Sequence, residues 1–141
     1  MRIITATFLA IGLVWAVNAI ALDRNAAPAE AKLYFIGLND GDTVGQKFAV
    51  RFGLSGMGVA PAGIKLPKTG HHHLLINTDL PEDLSQPLPN DAQHRHFGGG
   101  QTETTVELPP GTHTLQLLLG DYVHVPFDPL VISEKITVTV K

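Results

Sequence analysis

The chain contains no cysteine. That removes disulfide scaffolds, thiolate zinc sites, iron–sulfur clusters, cysteine nucleophiles and blue-copper centres, because each needs sulfur at a fixed position. A cluster of Lys and Arg is also missing. Ten basic residues against 13 acidic leave a formal charge of −3, and a nucleic-acid partner needs a basic face to neutralise its phosphates. The sequence has no helical period longer than one turn and no internal repeat. It carries no G-x-S-x-G elbow, P-loop, H-E-x-x-H or dinucleotide fingerprint, and no nucleophile with a base beside it. Nothing in it marks an enzyme.

What is present begins with Arg2 and an uncharged run from Ile3 to Leu22. A basic residue, an apolar stretch and small residues at Ala19 and Ala21 make a secretory signal peptide over residues 1–21, cut after Ala21 at Ala19-Ile20-Ala21, with Val17-Asn18-Ala19 as a second choice. The competing reading is an uncleaved anchor, since 20 uncharged residues can just span a bilayer. With no cysteine after the run, lipoprotein anchoring is excluded. Cleavage leaves 120 residues, secreted or periplasmic, enough for one domain and with no lasting membrane anchor.

Residues 22–31 have no apolar period and are expected to form a flexible lead-in to a single domain over residues 32–141. Strands are predicted at 32–38, 47–54, 71–77, 102–108, 112–119 and 134–140. The clearest is Lys47–Leu54, where Phe48, Val50, Phe52 and Leu54 alternate with smaller or charged residues. Residues 55–70 and 78–101 read as loops rich in Gly and Pro, and a loop as long as the second is a place to look for function. Short strands with turns between them argue for an immunoglobulin-like antiparallel β-sandwich, with Leu108-Pro109-Pro110-Gly111 as the corner between its sheets. A flattened barrel is the alternative.

Seven histidines lie between His71 and His124, five of them within residues 71–96. On a strand, residues two apart share a face, so His71 and His73 form one H-x-H pair and His94 and His96 a second. If the long loop folds back on the 71–77 strand, the four imidazoles meet. An all-nitrogen set suits copper or zinc, with His124 as a possible further ligand. His72, facing the opposite way, belongs to the core or behind the ligands; Asp91 and Asp121 are candidates to accept a ligand's second ring N–H. His113 is expected to cap a strand corner through backbone. Glu103 is expected to face solvent unless a site forms beside Gln101. The run Gly98-Gly99-Gly100 is expected to let the chain approach the histidine strand closely.

Two other readings remain open. The 78–101 and 120–130 loops could recognise a small ligand, glycan or protein without catalysis. Alternatively, several imidazoles gaining charge together as pH falls would make a pH-responsive structural protein.

The segments Gly56-Met57-Gly58-Val59-Ala60-Pro61-Ala62-Gly63 and Thr69-Gly70-His71-His72-His73-Leu74-Leu75 resemble a bacterial family of small exported, His-rich β domains, the domain-of-unknown-function family 4399. His94-Arg95-His96-Phe97-Gly98-Gly99-Gly100-Gln101-Thr102-Glu103, Leu117-Leu118-Leu119-Gly120-Asp121, His124-Val125-Pro126 and Ser133-Glu134-Lys135-Ile136-Thr137-Val138 continue the likeness, over roughly residues 56–140. The resemblance implies that these His, Gly and Asp residues form a family pattern. It supplies no activity. Where the pattern leads one to expect a histidine after Val125-Pro126, this chain has Phe127, which implies a smaller site.

Overall fold

A computed structural model describes residues 22–141; the expected signal segment, residues 1–21, lies outside the described residues. Within them the alternation read along Lys47–Leu54 has a plain physical outcome. Val50 and Phe52 are buried while Lys47, Ala49 and Arg51 face water. Among the described residues nine strands form: β1 (Lys32–Ile36), β2 (Thr43–Val44), β3 (Lys47–Ser55), β4 (Gly58–Val59), β5 (Thr69–Ile76), β6 (His94–His96), β7 (Glu103–Glu107), β8 (Gly111–Gly120) and β9 (Ile136–Val140). No helix occurs among the described residues.

One sheet has the order β1-β3-β7 and the other β2-β9-β8-β5-β4, with β6 also paired to β5. The two do not close into a barrel. The order β1-β3-β7 facing β9-β8-β5 is that of an immunoglobulin-like sandwich. The predicted Leu-Pro-Pro-Gly corner joins β7 in one sheet to β8 in the other, with Gly111 at φ 141°. His113 holds that corner. Its Nε2–H donates to the Pro109 carbonyl at 2.9 Å and its Nδ1 accepts from Asn77 Nδ2 at 2.8 Å.

Between the sheets lie Val50, Phe52, Leu74, Ile76, Val106, Leu115, Leu117, Leu119 and Val138; each such side chain contributes about 1.5–3 kcal/mol on burial. The outer face of β5 and β8 is covered as well. There Leu75, Leu88 and Leu118 pack with Leu80, Leu130 and Ile132 from the flanking loops. That is why β5 is buried almost end to end, and why it can hold imidazoles away from water on both faces.

The antiparallel sandwich is as expected, with two parallel pairs of two residues each, β2 with β9 and β4 with β5. Two expectations are corrected. The 78–101 stretch is not all loop, because His94–His96 pairs with β5 as β6; three residues carry no readable alternation. The 22–31 lead-in is tied down rather than flexible. Ala27 N–H donates to the Asp128 carbonyl at 3.1 Å and Asp128 N–H to that of Asn25 at 2.9 Å, while the Arg24 guanidinium bonds the carbonyls of Pro126 and Phe127. Backbone hydrogen bonding of this kind needs no hydrophobic pattern.

A four-histidine candidate metal centre

The face of each histidine on β5 follows from period 2. His72, Leu74 and Ile76 point between the sheets; His71, His73 and Leu75 point to the outer face. On β8 the residue opposite His73 is Leu118 and the one opposite His71 is Gly120. On the other edge β6 sets His96 opposite His73 and His94 opposite Leu75. The two H-x-H pairs therefore run antiparallel and overlap by one residue. His96 reaches the group and His94 is displaced along the strand.

The fourth imidazole comes from the turn after β8. Asp121 builds that turn. Its Oδ1 accepts the N–H groups of Val123 and Val125 at 2.9 Å each, and its carbonyl accepts His124 N–H at 2.9 Å. Its Oδ2 accepts from Asn25 Nδ2 at 2.6 Å. His124 itself sits at φ 71°, a left-handed conformation that a non-glycine residue adopts only when its surroundings hold it there.

His71, His73, His96 and His124 each offer one ring nitrogen, and these nitrogens all lie within 4.8 Å of one another. His71 and His73 are fully buried; His96 and His124 are half-buried and form the side of the group nearer solvent. His71 Nε2 and His124 Nδ1 are 3.0 Å apart and share one proton, the donor set by tautomer. His71 Nδ1, His73 Nδ1 and His96 Nε2 are buried with no hydrogen-bond partner. A buried polar atom left so costs about 1–3 kcal/mol, and buried groups of this kind are ordinarily satisfied.

Space for four rings depends on two glycines. A Cβ on Gly120 would stand 2.7 Å from His73 Cε1, and one on Gly98 would stand 2.3 Å from His96 Cε1. Gly98 thus allows the close approach expected of the glycine run. The role of Gly120 was not foreseen, although its place after three leucines and before Asp121 was visible.

Burial, with the other rings adding repulsion, favours the neutral form of His71, His73 and His96. Desolvation, followed by His124 and His96, lowers the His71 pKa to about 4, with Asp121 pulling the other way and His72 adding to the lowering. Desolvation, then His71, His96 and His124, lowers His73 to about 2. His96 is lowered for the same reasons, burial first and then His124. Neutral imidazole is the form that ligates a metal ion.

The remaining sequence-predicted residues lie elsewhere. His94 donates from Nδ1 to Asp91 Oδ1 at 3.0 Å, so Asp91 orients a histidine outside the group rather than a member of it. His72 faces the inter-sheet core, its ring centre 5.0 Å from that of Phe52. Neither of its ring nitrogens has a partner, so it is a core residue and supports no ligand. Asp121 supports the site through backbone, not through an imidazole N–H. Glu103 faces solvent opposite Arg51, 3.3 Å from its Nε. Phe127 packs in the inter-sheet core and not among the four rings.

Residues 50–141 match the family described as Domain of unknown function (DUF4399). No curated protein matches the sequence. Among solved structures, the endo-beta-1,4-mannanase of Thermotoga petrophila is similar with a TM-score of 0.47 at 16% identity, over 79% of this chain and 20% of that one. The chain thus spans about a fifth of the mannanase's length. The PKD domain of human KIAA0319 is similar with a TM-score of 0.39 at 13% identity, over 92% of both chains. The molecule is a small β domain with a histidine cluster that could hold a metal ion.

Proposed function

The chain belongs to the DUF4399 family, and we propose that it is an exported, non-catalytic protein that binds a transition metal ion, copper or zinc, through His71, His73, His96 and His124. The observation that carries this reading is the convergence of four imidazoles from β5, β6 and the turn after β8, with three of their buried nitrogens lacking any partner. A cation held by one ring nitrogen of each histidine would give buried imidazole lone pairs a partner and so reduce the cost of leaving ring nitrogens unsatisfied. Export rests on the basic residue, apolar run and A-x-A site at the start of the sequence.

Calorimetric titration of the purified protein with Zn(II) and Cu(II) tests the reading. The expected result is one ion per chain with a Kd well below about 1 μM, lost when all four histidines are replaced by Ala. Failure of both ions to bind at that level would overturn it.

A second reading keeps one observation of its own. A cleft of about 360 Å³ lies beside the 120–130 loop, lined by Asn25, Ile64, Leu66, Tyr122 and Phe127 among others. A small ligand with an apolar body would suit it. Ligand binding that survives the four-histidine replacement is the result that would favour this reading.

A further inference from the structure

Six distances between ring centres describe how the imidazoles surround a common point. His71–His73 is 4.8 Å, His71–His96 4.9 Å, His71–His124 5.0 Å, His73–His96 5.2 Å and His96–His124 4.6 Å; His73–His124 alone is longer, at 6.1 Å. With metal–nitrogen bonds of about 2.0–2.1 Å and ring centres about 1.2 Å further out, a tetrahedral ion sets all six separations near about 5.2 Å. A square-planar ion instead sets four at about 4.5 Å and two, between opposite ligands, at about 6.4 Å.

The long His73–His124 distance could serve as one opposite pair. The other would then be His71–His96, which stands at 4.9 Å and would have to open by about 1.5 Å. His96 stands on β6, which is hydrogen-bonded to β5, the strand that carries His71. Their backbones cannot separate without breaking the sheet, so the opening would have to come from rotation of two packed rings. His124 is on a turn, and closing its gap to His73 moves only that ring. Small adjustments therefore reach the tetrahedron and not the square. The donors also contain no thioether or thiolate of the kind that favours Cu(I).

Resting on the metal-binding reading above, we propose that the site is a closed tetrahedral Zn(II) site, filled by four protein nitrogens. It leaves no position for a metal-bound water and works against the tetragonal geometry that Cu(II) prefers. Zinc sites of this closed kind serve structure or storage rather than hydrolysis.

Co(II), added alone to the protein as a spectroscopic probe, separates the possibilities. The expected result is the intense visible absorption of four-coordinate tetrahedral Co(II), bleached by one equivalent of Zn(II). His94→Ala keeps the band. His124→Ala, on the side of the group nearer solvent, shifts the band as water takes the place of the fourth nitrogen, and weakens Zn(II) binding at least about tenfold. The weak absorption of six-coordinate Co(II), or a band that His124→Ala leaves unchanged in position and intensity, overturns the closed tetrahedral site and leaves metal binding standing. Absence of binding by Co(II), Zn(II) and Cu(II) alike overturns both.

Discussion

His73 on β5 stands directly opposite His96 on β6, their ring centres 5.2 Å apart and their planes inclined by 33°. This one pairing decides which member of the second H-x-H pair enters the site. Directly opposed residues point to the same face of the sheet, so His96 meets His73, and His94 is carried two residues along to lie against Leu75 and Asp91. His96→Ala is therefore expected to weaken Zn(II) binding by at least about tenfold, and His94→Ala to leave it within a factor of about two. Parallel titrations of the two variants measure the difference. Equal losses would mean that β6 pairs in another register.

Gly120 faces His71 across the β5–β8 pair, and a methyl group there would press on the His73 ring at 2.7 Å from Cε1 and 3.1 Å from Nδ1. Overpacking of this kind costs about 1–3 kcal/mol. Gly120→Ala is expected to lower stability by that amount and to weaken metal binding, because the displaced ring is a ligand. Urea unfolding of the metal-free protein reads the first effect and titration reads the second. Full stability together with full affinity would show that the rings are not packed as described.

Asp121 touches no imidazole proton, yet it holds His124 in place through the N–H groups of Val123 and Val125. Asp121→Ala leaves those donors without their acceptor and frees the turn. A loss of about 10–100-fold in metal affinity is expected, with His71, His73 and His96 still ligating. Affinity equal to that of the parent protein would show that His124 needs no such support.

Acid should destabilise the metal-free protein. The pKa values of His71 and His72 lie near 4 and that of His73 near 2 in the folded state, against 6.5 for an unperturbed imidazole. The unfolded chain takes up protons first, so stability is complete above about pH 6.5 and falls as pH drops below it. His72, shifted by burial alone, accounts for a slope of about 1.4 kcal/mol per pH unit between pH 6.5 and 4. His72→Leu is expected to remove that part of the slope. It should also raise stability at pH 7.5 by about 1 kcal/mol, since two unpartnered nitrogens leave the core. Thermal melts from pH 7.5 to 4.5 test both. With Zn(II) bound, the melting temperature should be higher at pH 7.5, and the increment should disappear on acidification as protons compete for the nitrogens. A flat profile would contradict the burial of these rings.

Much of the sandwich was legible because its signal is local. Period 2 marked Lys47–Leu54 and Glu134–Val140, and the Leu-Pro-Pro-Gly corner announced the crossing between sheets. The two-residue strands Thr43–Val44 and Gly58–Val59 carry too few side chains to show any period. The docking of Arg24 and Asn25 depends on backbone carbonyls and a carboxylate far along the chain, which no local pattern encodes.

The sequence by itself determined the membership of the family, the six longer strands, and a donor set restricted to imidazole and carboxylate by the absence of cysteine. It also determined that His71 and His73 share a face opposite to His72, since alternation along a strand is a property of the backbone alone. Tertiary structure decided the rest of the site. The register of β6 on β5 chose His96 over His94, and the Asp121 turn brought in His124 from 53 residues away from His71. Such choices depend on which distant segments bury their surfaces against one another, and the spacing of residues along a chain does not carry that information.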